Sequence, residues 1–145
     1  MTVPRKLILV LDDDFSVLGA VKRLLKVRGF DVETFLTIDG FIERANLREA
    51  ACLVLDINLD GFSGIDLKRK LTDAGIPLPV IFITARDDDA TRRAALSVGC
   101  VAYLSKPFSS KDLVDAIGRC KMRNVSTDAS STRPLTALPG VRQHK

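Results

Sequence analysis

Three consecutive aspartates, Asp12-Asp13-Asp14, follow directly on the apolar run Leu7-Ile8-Leu9-Val10-Leu11. A buried strand that ends in such a cluster crowds like charges at its tip, and they repel unless a cation sits among them. The pattern of an apolar run ending in a reactive side chain recurs. Leu53-Val54-Leu55 meets Asp56, Val80-Ile81-Phe82-Ile83 meets Thr84, and Val101-Ala102-Tyr103-Leu104 meets Ser105-Lys106-Pro107-Phe108. In a parallel sheet the carboxyl ends of the strands share one edge, where ligand sites form. Acids, a hydroxyl and a lysine would then meet at one mouth, a set suited to a phosphoryl group and a magnesium ion.

The elements that must position these groups alternate along the chain. Val17, Ala20, Val21, Leu24 and Leu25 repeat at helical spacing, and Arg28-Gly29 closes that helix. A short strand over Val32 to Phe35 precedes a weaker helix marked by Phe41, Ile42 and Ala45. The third strand spans Ala51 to Leu55, and Ser63 caps a helix that ends near Ala74, before Gly75 and Pro77. The fourth strand is Val80 to Ile83. Asp87-Asp88-Asp89 starts the fourth helix, which runs to about Val98, because acids there complement the helix dipole. The fifth strand is Val101 to Leu104, and Ser109 or Ser110 opens the last helix. Five strands alternating with five helices predict an α/β, flavodoxin-like fold: a parallel, doubly wound sheet of order 2-1-3-4-5, with the second strand, shortest and least apolar, at an edge.

Composition narrows the function. With 145 residues, 46% of them hydrophobic, the chain suits one domain, placed at 5–121, followed by a flexible tail or linker over 122–145. That tail is rich in Ser, Thr and Pro and lacks any period. No run approaches the ~20 apolar residues of a membrane span, and the first run is too short for a signal peptide, so a cytoplasmic protein without membrane partners is expected. Of the net charge of +4, residues 122–145 carry +3, so no basic face is available for nucleic acid on the body. Cys52, Cys100 and Cys120 lack metal spacing and read as reduced core residues. The single histidine, His144, sits by the terminus, which excludes a zinc site or a Ser-His-Asp triad in the body.

Taken together, Leu-Asp-Asp-Asp, Val-Leu-Asp-Ile-Asn-Leu with Gly-Phe-Ser-Gly, Ile-Phe-Ile-Thr-Ala-Arg-Asp-Asp and Ala-Tyr-Leu-Ser-Lys-Pro-Phe resemble the receiver domain of two-component response regulators, most closely receivers that precede a LuxR-type helix-turn-helix output. The resemblance implies that Asp56 is the phosphoacceptor, with Lys106 and Thr84 contacting the phosphoryl group. It implies Mg2+ held by Asp13 and Asp56, by the Asn58 carbonyl, and by Asp12 through a water. A cis bond from Lys106 to Pro107 would aim the lysine, and Ala85 would keep the mouth open. Thr84 and Tyr103 would form the switch pair, and Asn58 and Arg86 would tune hydrolysis. Asp60 stands where the family usually has proline. The implied partners are a histidine kinase or histidine phosphotransfer protein, and a downstream protein on the face of the fourth helix, fifth strand and fifth helix. A phosphorylation-dependent dimer is a further option.

Three other readings stay open. The chain could be the receiver fragment of a DNA-binding transcription regulator, because too little sequence follows Lys121 for such a module here. It could be a binding module that no longer signals through phosphate. Asp12-x-Asp14, Thr84 and Lys106 also mimic a haloacid-dehalogenase-type phosphatase, which would make Asp12 the nucleophile. That enzyme needs a further acidic pair on a strand after the lysine, where only a helix is expected. The resemblance therefore points to a phosphoacceptor, not an enzyme.

Overall fold

The computed structural model describes residues 5–120; the tail expected over 122–145 lies outside them. The chain runs β1 (Leu7–Leu11), α1 (Phe15–Val27), β2 (Asp31–Phe35), α2 (Ile38–Arg44), β3 (Ala50–Asp56), β4 (Asn58–Leu59), β5 (Phe62–Ser63), α3 (Gly64–Asp73), β6 (Val80–Thr84), α4 (Asp89–Val98), β7 (Ala102–Ser105) and α5 (Ser110–Gly118). The main sheet has the order β2-β1-β3-β6-β7, with every pair parallel. This is the expected 2-1-3-4-5 arrangement; β4 and β5 form a separate two-stranded hairpin between β3 and α3.

Strands of a parallel sheet covered on both faces are apolar throughout, and alternate side chains feed two cores. Leu9, Leu11, Leu53, Leu55, Val80 and Phe82 pack with residues of α2, α3 and α4, whereas Ile8, Val10, Cys52, Val54, Ile81 and Ile83 pack with those of α1 and α5. Cys52 and Cys120 are buried small core residues, as expected, and Cys100 is half-buried; all three are free thiols. Among the described residues no helix is long and apolar enough to cross a membrane.

Helix starts follow side-chain chemistry. Asp14, Thr37, Ser63, Asp88 and Ser109 each accept a backbone N–H of the first turn of α1 to α5 in turn. Two expectations need correction. The shortest strand of the main sheet is β7, with four residues, and not β2, which has five; β2 is nonetheless an edge. The fifth strand also starts one residue later than expected and takes in Ser105, which pairs with Thr84. The β4–β5 hairpin was not anticipated, because two-residue strands carry no readable period. Its turn is Asp60-Gly61, with Gly61 at φ 77°. Asp60, in place of proline, thus starts a turn that glycine completes.

Candidate functional site: an acidic mouth at the switch point

The strand order carries four chemistries to one edge. Leu11 is in register with Leu55, Asp56 with Ile83, and Thr84 with Ser105. Asp12 therefore leaves β1 beside the end of β3, and its N–H is held by the Phe35 carbonyl at 3.1 Å. Lys106 donates its N–H to the Thr84 carbonyl at 2.7 Å, so the lysine enters the site from a fixed point. The bond from Lys106 to Pro107 is cis, as the resemblance implied.

Asp12 is fully buried and Asp56 is 4% exposed, whereas Asp13 faces solvent. One carboxylate oxygen from each lies within 4.8 Å of the others. The Lys106 ammonium is 2.7 Å from Asp12 Oδ2 and 3.6 Å from Asp56 Oδ2. Asp12 Oδ1 accepts the Asp14 N–H at 2.9 Å, but Oδ2 has only the charge of Lys106 near it and no directed hydrogen bond. Asp56 Oδ1 accepts the Asn58 N–H at 3.3 Å.

One lysine does not neutralise three acids. Burial, and then the charge of Asp12, push the Asp56 pKa up to about 6, against the pull of Lys106. Burial draws the Lys106 ammonium down, yet its close contact with the Asp12 carboxylate, with the charge of Asp56 behind it, holds its pKa above the ordinary value. A further cation belongs in such a place. Crowded carboxylate oxygens, one of them buried with no directed hydrogen bond, fit a hard, oxygen-seeking ion such as magnesium.

Thr84 is buried at the end of β6, and its hydroxyl is engaged. It donates to the Arg86 carbonyl at 3.1 Å and accepts from Arg86 N–H at 3.0 Å and Asn58 Nδ2 at 3.2 Å. Tyr103 is half-buried, and its hydroxyl donates outward to Asp87 at 3.2 Å. Arg86 and Ala85 are exposed at the rim.

Sequence reasoning missed two residues. Gly64 opens α3 directly beneath the site, and its N–H donates to the Ile57 carbonyl at 2.8 Å. A Cβ there would run into the Asp56 carbonyl oxygen and come within 3.1 Å of Ile57 Cα. Glycine lets the helix approach the backbone that carries Asp56. The second is Asp87, read only as part of a helix start. Asp88 caps α4 and Asp89 lies in its first turn, but Asp87 reaches across to Arg92, Tyr103 and Ser105.

A doubly wound sheet with acids at the crevice between β1 and β3 puts a candidate ligand site at the topological switch point. Comparison with known proteins narrows it: the response regulator receiver domain matches residues 8–118. The response regulator protein TodT of Pseudomonas putida is 36% identical over 110 residues, 76% of this chain and 48% of TodT. The transcriptional regulatory protein PrrA of Mycobacterium tuberculosis is 33% identical over 139 residues, 96% of this chain and 59% of PrrA. The solved structure of response regulator StyR has a TM-score of 0.74 at 38% identity, covering 81% of this chain and 59% of that one. The chain belongs to the receiver-domain family of two-component response regulators. It spans about half the length of the curated relatives it matches. Membership sets aside the phosphatase reading, and the matched stretch says nothing of a LuxR-type output.

Proposed function

We propose that Asp56 is the phosphoacceptor and that the chain works as a phosphorylation-driven protein switch, not as an enzyme with turnover on a separate substrate. The observation that carries this is the Asp56 carboxylate itself, at the end of β3 with Lys106 3.6 Å away and two further carboxylates beside it. An Asp56 oxygen attacks the phosphorus of a phosphohistidine on a histidine kinase or phosphotransfer protein. The phosphorus–nitrogen bond breaks, the imidazole leaves, and an acyl phosphate forms. Lys106 faces the developing negative charge on the phosphoryl oxygens.

Asp13, Asp56 and the Asn58 carbonyl would hold Mg2+, with Asp12 acting through a water. When bound, the ion offsets repulsion between the acids and the incoming phosphoryl group. An apolar groove of about 430 Å3, lined by Val17, Ala20, Val21, Leu24, Pro107 and Phe108, opens beside Lys106 and would seat the donor protein.

Once phosphate is present, the Thr84 hydroxyl gives up Arg86 and turns to a phosphoryl oxygen, and Tyr103 turns into the space vacated. The output is the α4–β7–α5 face, which bears the exposed Arg92, Arg93, Lys111 and Asp115. It meets a downstream protein or a second receiver, in the cytoplasm. A second reading, a receiver within a DNA-binding regulator, is favoured by relatives about twice as long, one of them named a transcriptional regulatory protein. In either case this portion itself contacts no nucleic acid. Incorporation of label from acetyl phosphate tests the core of the proposal. Asp56→Asn keeps the size and the fold and loses uptake; undiminished uptake would end this reading.

A further inference from the structure

Asp87 has no capping task in α4, yet it is the most heavily bonded exposed carboxylate near the switch. It accepts from Ser105 Oγ at 2.6 Å, from the Tyr103 hydroxyl at 3.2 Å, and from Arg92 Nη2 at 3.0 Å to each of its oxygens. The Arg92 guanidinium also lies 4.9 Å from the centroid of the Tyr103 ring. Side chains from α4 and β7 thus close on one carboxylate of the β6–α4 loop.

The geometry gives these bonds unequal fates when Tyr103 turns. Ser105 is fixed in β7 by its pairing with Thr84, and Arg92 is carried on α4, so both can keep Asp87 in place. The Tyr103 hydroxyl cannot follow its ring inward and still reach Asp87, and the ring leaves the guanidinium with it. The hydrogen bonds of Asp87 hold its own pKa below the usual carboxylate range, Ser105 contributing most. It therefore stays a charged, strong acceptor at neutral pH.

We propose that Asp87 is a positioning residue acting through Tyr103: it latches the ring in the outward, resting state and sets how far the unphosphorylated protein leans towards the switched one. This rests on the Thr84–Tyr103 switch proposed above. Phosphate then has to overcome the latch, and loss of the latch shifts the population without phosphate.

Tyr103 is the single tyrosine, so the full chain labelled with 3-fluorotyrosine gives one 19F signal from this ring. The Thr84 amide, on β6 and not among the hydrogen-bond partners of Asp87, is a second reporter. Both are read with and without acetyl phosphate and magnesium. In Asp87→Ala without phosphate, both signals move towards their phosphorylated positions, as for a rise of about tenfold in the inward-to-outward ratio. Arg92→Ala moves them less in the same direction, and Asp87→Asn gives an intermediate shift. The latter two variants carry the test should Asp87→Ala fail to fold. If the variants' Thr84 signal rests at the wild-type position while phosphate still moves it in all of them, the latch is wrong and the switch stands. If Asp56 takes up phosphate and neither wild-type signal moves, the switch reading falls and the latch with it.

Discussion

The chain gathers carboxylates at two places along one edge of its sheet, and they live under opposite conditions. At the mouth, Asp12 and Asp56 are buried, with Lys106 as their one ion-pair partner among the described residues, and the Asp56 pKa is pushed up to about 6. A few residues beyond Thr84, Asp87 lies in solvent with two hydroxyl donors and a guanidinium, and its pKa is held down. The mouth is short of positive charge and open to a cation; the rim cluster is saturated and already closed. Buried like charges cost free energy that a ligand can offset, whereas a satisfied surface network resists change until a partner leaves it. The first suits a site that waits for something to bind, the second a restraint on movement.

The strongest way to break this contrast is to remove what the mouth is built around. Gly64→Ala forces a methyl group against the Asp56 carbonyl, and overpacking of that kind costs about 2 kcal/mol. It should slow phosphate uptake by about tenfold and weaken magnesium binding, since the displaced backbone leads to the Asn58 carbonyl. Gly118→Ala, with no atom near its added Cβ, is the control and should leave uptake unchanged. Equal rates in the two variants would deny the close approach any role.

Next comes pH. The raised Asp56 pKa means that the folded protein holds a proton which the unfolded chain has released, so stability falls as pH rises from about 4 to about 6. Thermal melts in chelator should show Asp56→Asn more stable than the parent above pH 6, by about 2 kcal/mol, with the gap closing towards pH 4. Added magnesium should narrow it by stabilising the parent alone. A gap that does not vary with pH would contradict the crowded-acid account.

The mouth and the rim differ in how much of each the residues alone reveal. The mouth is legible because each reactive residue directly follows an apolar run, and strand ends of a parallel sheet must meet: Asp12, Asp56, Thr84 and Lys106 could be placed together from pattern alone. Asp14 as a cap, and Gly29 just past α1, follow from local chemistry. The rim was not legible. The partners of Asp87 lie 5, 16 and 18 residues away on two other elements, and no local spacing joins them. Gly64 was hidden for a related reason, because its need for a bare Cα comes from a tertiary approach to Asp56. The β4–β5 hairpin is too short to show a period, though Asp60-Gly61 is a turn signal that could have found it.

Within the mouth, Asp13→Ala should weaken magnesium binding more than Asp12→Ala, because exposed Asp13 is the direct ligand proposed above whereas Asp12 is also tied to Lys106. Metal titration of both variants checks it, and a larger loss in Asp12→Ala would reverse the assignment. The smallest effect belongs to the rim. Burial first, and then the hydrogen bond to Asp87, raise the Tyr103 phenol pKa. The absorbance of this single tyrosine should titrate at lower pH in Asp87→Ala, because the neighbouring negative charge no longer opposes ionisation. An unmoved curve would argue that the 3.2 Å bond carries little weight.

That the two regions are halves of one device is tested most directly by amide NMR of the full chain, with and without acetyl phosphate and magnesium. Phosphate at Asp56 should move the Thr84, Asp87, Arg92 and Tyr103 signals together, and Asp56→Asn should abolish the movement. Stoichiometric uptake at Asp56 with the signals of the α4–β7–α5 face unchanged would contradict it.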